Sequence, residues 1–185
     1  GVEVIDSSGA VLASTTFTDS HFIYGHLTWK PRPDLGPRTI EFRYTAALRL
    51  SDHSGAVPGD QIGDNQGTTD LFFGDGLRTR FAYRVLSTDP ANDLLLGVAL
   101  DPVTRTPGII HAYGGTATSF TAFTSGCCRL EAPILKNNVW SPEFPGSGQF
   151  KHTTLVTLSG NSSPVSPLPP VVTVAQNAVA TWNVP

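Results

Sequence analysis

The stretch Thr39 to Leu50 constrains the fold more than any other part of the chain. Ile40, Phe42, Tyr44, Ala46, Leu48 and Leu50 alternate without a slip against Thr39, Glu41, Arg43, Thr45, Ala47 and Arg49. A period of two is the pleat of a β-strand, which sends successive side chains to opposite faces. One apolar face and one wet face mark an antiparallel sheet, and the apolar face needs a second layer to cover it. The rest of the chain has to supply that layer.

Further strands are expected on either side. His21 to Lys30 places Ile23, Leu27 and Trp29 on one face and Phe22, Tyr24, His26 and Thr28 on the other, so both faces carry bulk and the strand is read as central. Pro31, Pro33 and Pro37 then enforce a rigid connection. Thr69–Phe73 is a short strand, and Leu77 to Ser87 reads as a single strand with Leu77, Thr79, Phe81, Tyr83 and Val85 inward and Arg78, Arg80 and Arg84 outward. Leu94 to Leu100 is nearly continuous apolar sequence and is read as a buried central strand. Ile109–Tyr113, Ser119–Thr124 and Phe150–Leu158 complete the set. Regular turns, 18 Gly, 15 Pro and no helical apolar stripe predict an all-β Greek-key sandwich of about nine strands with extended terminal arms, a closed barrel being the minor alternative.

The 185 residues divide, on composition, into an N-terminal arm or hairpin over 1–17, the sandwich over 18–158, a Pro/Ser-rich linker over 159–170, and a C-terminal strand or the start of a further module over 171–185. A chain that opens on Gly1 is expected to be a processed or excised piece. A net charge of −3, spread thinly, argues against nucleic acid as a partner, and no apolar run is long enough for direct membrane insertion as a helix. Low charge, many turns and one glycosylation sequon suit an extracellular or cell-surface protein.

Two motifs flank the middle of the chain. Phe73-Gly74-Asp75-Gly76 is an Asp-Gly turn, in which glycines at 74 and 76 permit positive φ and Asp75 bonds its own turn. His111-Ala112-Tyr113-Gly114 ends a later strand and is followed by Ser119-Phe120-Thr121-Ala122-Phe123. This combination resembles the polycystic-kidney-disease (PKD) type of immunoglobulin-like domain over residues 68–124. Asn161-Ser162-Ser163-Pro164 with Leu168-Pro169-Pro170-Val171 is similar to the linkers that open cadherin-like repeats. The resemblance implies an extracellular spacer or adhesion unit of a larger protein. The residues themselves give Gly74, Asp75 and Gly76 a structural turn role rather than a metal or catalytic one, and make His111 and Tyr113 a packed pair near a sheet corner.

Other residues offer chemistry, each with an architectural alternative. Adjacent Cys127 and Cys128 can form a vicinal disulfide, remain free thiols, or bond to other chains; a strained vicinal ring is the favoured reading in an oxidising compartment. Asn161 heads an N-glycosylation sequon in a segment expected to be exposed. Asp60, Asp64, Asn65 and Asp70 offer hard oxygens to Ca2+, as do Asp89, Asn92 and Asp93, although turns recruit these residue types without any metal. Otherwise no cofactor is called for. Trp29, Tyr24 and Trp140 are the aromatics that could present a sugar-binding surface. Arg43, Arg49, Arg78, Arg80 and Arg84 read either as a solvated face paired with acids or as a contact for anionic glycans.

No HExxH, zinc-type cysteine pattern or Gly-x-Ser-x-Gly elbow is present. The expectation is a non-enzymatic structural or adhesion module, one unit of a larger surface protein or polymer. It would contact neighbouring domains or identical subunits through its terminal strands. A carbohydrate-binding module is the alternative, and a secreted hydrolase with a site in the 51–67 and 125–148 loops is the third reading.

Overall fold

The computed structural model describes residues 2–5, 11–15, 22–63, 70–129 and 148–165, with side chains for 22–63, 70–126 and 150–165. Among the described residues there are twelve strands and no α-helix. The first two, β1 (Val2–Ile5) and β2 (Val11–Thr15), pair antiparallel as a hairpin of their own. The others are β3 (Phe22–Pro31), β4 (Thr39–Arg49), β5 (Gln61–Ile62), β6 (Asp70–Phe72), β7 (Arg78–Arg80), β8 (Ala82–Asp89), β9 (Leu94–Leu100), β10 (Ile109–Ala112), β11 (Ser119–Arg129) and β12 (Gly148–Thr157).

These ten strands form two antiparallel layers. The larger runs β5-β8-β9-β4-β3, with β10 also on β4; the smaller runs β12-β11-β6-β7. A single parallel pairing, Arg129 with Phe22, joins β11 to β3 and makes the hydrogen-bonded path continuous. The strand with the cleanest alternation, β4, is the hub. One of its edges pairs with β3 from Ile40 to Leu48, and the other is shared between β10 over Thr39–Phe42 and β9 over Thr45–Arg49.

The apolar face of β4 is the floor of the core. Ile40, Phe42, Tyr44, Ala46 and Leu48 are all buried, joined by Leu27 and Trp29 from β3 and by Leu95 and Ala99 from β9. The smaller layer closes over them with Leu71, Ala122, Phe150 and Val156. Aromatic pairs bridge the layers. Phe22 stacks on Phe150 at 3.8 Å, Tyr113 on Phe120 at 4.1 Å, and Phe42 lies tilted against Phe73 at 5.6 Å. Each such pair contributes about 0.5–1.5 kcal/mol beyond its buried area.

The architecture is the expected all-β sandwich, with two local differences. Leu77 to Ser87 is not a single strand. β7 ends at Arg80 in the smaller layer, Phe81 is buried at the crossing, and β8 starts at Ala82 in the larger layer. Leu77 lies before β7, in the β6–β7 turn, and is 60% exposed rather than inward-facing. In β3 a register shift between Phe22 and Tyr24 rephases the strand, so that Phe22, Gly25, Leu27 and Trp29 all face the core.

Within its described residues, 159–165, the compositional linker is tied back to the sandwich at Ser163. Ser163 is buried, its N–H donates to the Trp29 carbonyl at 3.0 Å, and its Oγ accepts from the Trp29 N–H at 2.7 Å. Residues 166–185 lie outside the described residues.

Gly25 makes the centre of the fold possible. A Cβ there would run into the Tyr44 hydroxyl and come within 2.8 Å of His152 Cε1. Tyr44 and His152 are joined by a hydrogen bond of 3.1 Å across the layers. We predict that Gly25→Ala costs about 2 kcal/mol or more, read as a lowered midpoint in chemical denaturation; an unchanged midpoint would show that the pair can move aside.

Candidate functional site

The two motifs that lie 36 residues apart in sequence meet in space. The β6–β7 turn is built by Gly74 and Gly76, both at positive φ (90° and 93°), and closed by Phe73 N–H to Leu77 carbonyl at 3.0 Å. Gly74 is required twice, because a Cβ would sit 2.5 Å from the Thr121 carbonyl oxygen. Asp75 Oδ1 accepts from the Leu77 N–H at 3.0 Å, which leaves Oδ2 for His111 Nε2 at 2.8 Å. The Phe73 ring stacks on the His111 imidazole at 3.8 Å, and Tyr113 meets it edge-on at 4.6 Å. The Tyr113 hydroxyl donates to the Phe73 carbonyl at 2.8 Å.

The electrostatics of this corner are those of a clamp. Burial pushes the Asp75 carboxyl up, but the hydrogen bonds from His111 and the Leu77 amide outweigh it and hold the group below its ordinary value. Burial raises the Tyr113 phenol well above its ordinary range, with the Asp75 charge adding to the effect. His111 is spent on Asp75 and covered by two rings, so the pair holds a β-turn of the smaller layer against the end of β10 in the larger one.

The acidic residues weighed as Ca2+ ligands are occupied in separate places. Asp70 is buried and pairs with Arg78 at 3.0 Å and Arg80 at 3.5 Å. Asp60 Oδ2 accepts the Val57 N–H in its own turn. Asp64 and Asn65 lie outside the described residues. Asp89 caps the short 3-10 turn Pro90–Asn92, accepting from the Ala91 and Asn92 amides. Asp93, at φ 51°, takes Ser51 N–H, Ser51 Oγ–H and Arg49 Nε. Among the described residues no group of three or more His, Cys, Asp or Glu side chains could hold a metal ion.

Trp29 is not an exposed sugar platform. It is 4% exposed, and its indole N–H donates to the Leu155 carbonyl at 3.0 Å, so the ring belongs to the core. Tyr24 is half-buried and Trp140 lies outside the described residues. Cys127 and Cys128 sit on β11 at the irregularity between Gly126 and Arg129, and their side chains lie outside the described residues. Asn161 is exposed, as expected, whereas Ser163 of the same sequon is buried against Trp29.

The five arginines do not form one strip. Arg43, Arg49 and Arg84 lie on the larger layer, and Arg78 and Arg80 on the smaller. Arg49, Arg78 and Arg80 pair with Asp93 or Asp70, and Arg84 donates to the Arg105 carbonyl.

Two organising residues escaped the sequence reading. Asp101 is buried at the β9–β10 turn, where Oδ1 accepts the Val103 and Thr104 amides and Oδ2 the Ile110 amide, at 2.9, 2.9 and 3.1 Å. Asp-Pro after a strand signals a turn, but Asp101 also fixes the start of the next strand. Arg38 donates to the carbonyls of Tyr113, Gly114 and Ala117 and so holds the β10–β11 loop.

Fold and corner together define an all-β sandwich module whose Asp75–His111 pair is buried and bonded within the corner. Residues 23–141, more than half of the chain, match the family described as "Integrin beta-like protein A-E, N-terminal", and the chain belongs to that family. No curated protein and no solved structure shows a significant match to it. No helix among the described residues is long and apolar enough to cross a membrane.

The buried acids give the fold a defined acid limit. Burial pushes the Asp101 carboxyl up, and the hydrogen bonds from Thr104, Ile110 and Val103 overcome that and hold it below its ordinary value. A depressed folded-state pKa means stability that is present above the unfolded value near 3.9 and is lost as pH falls through the folded one. We predict that Asp101→Asn lowers unfolding free energy by about 2 kcal/mol at pH 7. The gap to the parent should narrow as pH falls below about 4, followed by urea unfolding across pH; a gap independent of pH would exclude the charge as its source.

Proposed function

We propose that this chain is a non-enzymatic extracellular or cell-surface module that serves adhesion or structural spacing within a larger protein. The observation that carries this reading is the family match, whose printed name is integrin beta-like. The corner supports it, since its Asp–His pair is closed by two rings and bonded within itself rather than open toward a substrate. The finer resemblance to PKD-type domains points the same way, because those modules are spacers and adhesion units. The exposed Asn161 side chain fits a glycosylated surface.

Two outcomes follow. In cells that make the full-length parent, surface labelling of intact cells should reach this module, and deleting residues 22–165 should reduce cell adhesion several-fold without loss of surface display. Labelling only after permeabilisation, with adhesion unchanged, would overturn the reading. The terminal segments are proposed to pair with a neighbouring domain or an identical subunit. Sedimentation of the chain should therefore show association that weakens when 171–185 is removed, and a monomer at the highest soluble concentration would remove the terminal-strand partner.

A further inference from the structure

The outer face of the smaller layer carries an ordered arrangement that the adhesive reading does not use. The registers of β7, β6, β11 and β12 align two rows of side chains across all four strands. One is Arg80–Asp70–Ser125–Lys151, and the next is Arg78–Phe72–Phe123–Thr153. The residues that alternate with them, Leu71 and Thr124 between the rows and Ala122 beyond, are fully buried. The rows therefore point outward.

The cations on this face are held in place. Phe72 and Phe123 stack at 4.6 Å with planes 8° apart. Lys151 Nζ lies 4.2 Å from the Phe123 ring centroid, and the Arg78 guanidinium 5.6 Å from that of Phe72. The side chain of Asp70 is 13% exposed and orients Arg78 and Arg80, whose own side chains are 62% and 65% exposed. No ion pair joins Lys151 to an acid among the described residues. Three cations against one covered carboxylate make this a positive face on a chain whose net charge is −3. Three strand spacings separate β7 from β12, about 14 Å, so the cations span more than one charge of an extended ligand.

We infer that this face binds an anionic polysaccharide lying across the strands. Lys151 and the Arg78–Arg80 pair would meet successive carboxylate or sulfate groups, and the exposed Thr121 and Thr153 hydroxyls would meet sugar hydroxyls. Charge complementarity selects an anionic partner. The flat surface, with its aromatic faces covered by cations and Leu155 as its exposed large aliphatic side chain, favours an extended hydrophilic polymer over an apolar protein interface. Cations already fixed by rings and by Asp70 lose little freedom on binding. This adds a ligand class to the adhesive reading without depending on surface location, since binding is tested on the purified chain.

The test measures affinity for dextran sulfate, with uncharged dextran, poly-glutamate and phosphatidylserine vesicles as parallel arms. Binding to dextran sulfate that weakens with salt is expected, together with a several-fold loss in Lys151→Glu and Arg80→Gln. Arg43→Glu removes an exposed cation from the larger layer and should bind as the parent does. Phe123→Leu, which removes the ring beneath Lys151 and its stack on Phe72, should show an intermediate loss of binding with a modestly lowered melting temperature, and is measured well below that temperature. Equal losses in Arg43→Glu and Lys151→Glu would reduce the effect to net charge and overturn the inference. Tighter binding to poly-glutamate or to vesicles than to dextran sulfate would overturn the polysaccharide as its ligand.

Discussion

The fold depends on β4 having no free edge. A strand that alternates cleanly can sit at a sheet margin or at its centre, and here its backbone is paired along one side by β3 and along the other by β10 and then β9. Dividing one edge between two strands forces the connection between them, Asp101 to Gly108, to turn within a few residues. That explains the density of bonds at Asp101, whose carboxylate accepts from two amides of its own turn and from the Ile110 amide near the start of β10. An unmade bond to a buried amide costs about 1–3 kcal/mol, so the acid there is as much a part of the sheet as the strands it separates.

With the larger layer fixed, the smaller one has to be held at a set angle and height. Hydrophobic burial is non-directional and does not set register. The directional contacts do. Tyr44 to His152, Trp29 indole to Leu155 and the Asp75–His111 clamp cross the core at three separate places. Two of them are allowed by a glycine at the point of approach, Gly25 beneath Tyr44 and Gly74 against the Thr121 backbone. Polar bonds at these places specify one packing among the many that the apolar residues alone would accept.

Much of this was legible in the sequence, and the misses have physical causes. β4 and β9 could be read because a long alternation and a continuous apolar run survive in any sandwich. The Phe73–Gly76 and His111–Tyr113 motifs could be read as turn and strand-end, while their contact could not, since nothing local to either encodes the other. The break at Phe81 was hidden because alternation continues in phase while the chain changes layers. Trp29 misled in the opposite way: a large aromatic near a Pro-rich connection looked available, yet it stands directly opposite buried Phe42 of β4 on the core face, and Ser163 bonds its backbone. Periodicity reports which residues share a face, whereas exposure depends on what later segments lay over that face.

The clamp and the cationic face are parts of one construction. β6 and β7 are three residues each and are joined by the Gly74–Leu77 turn, and a hairpin that short does not hold its geometry alone. Asp75 and the Phe73 carbonyl anchor its tip to His111 and Tyr113, whose strand is itself paired to β4. Arg78 and Arg80 follow directly after that anchored tip, and Asp70 directly opposite fixes where their charges stand. The position of the outermost cations is thus inherited, through one buried hydrogen-bonded corner, from the central strand of the opposite layer. A hairpin released from that corner would keep its arginines but lose their spacing from Lys151, and with it the match to a ligand of regular charge repeat.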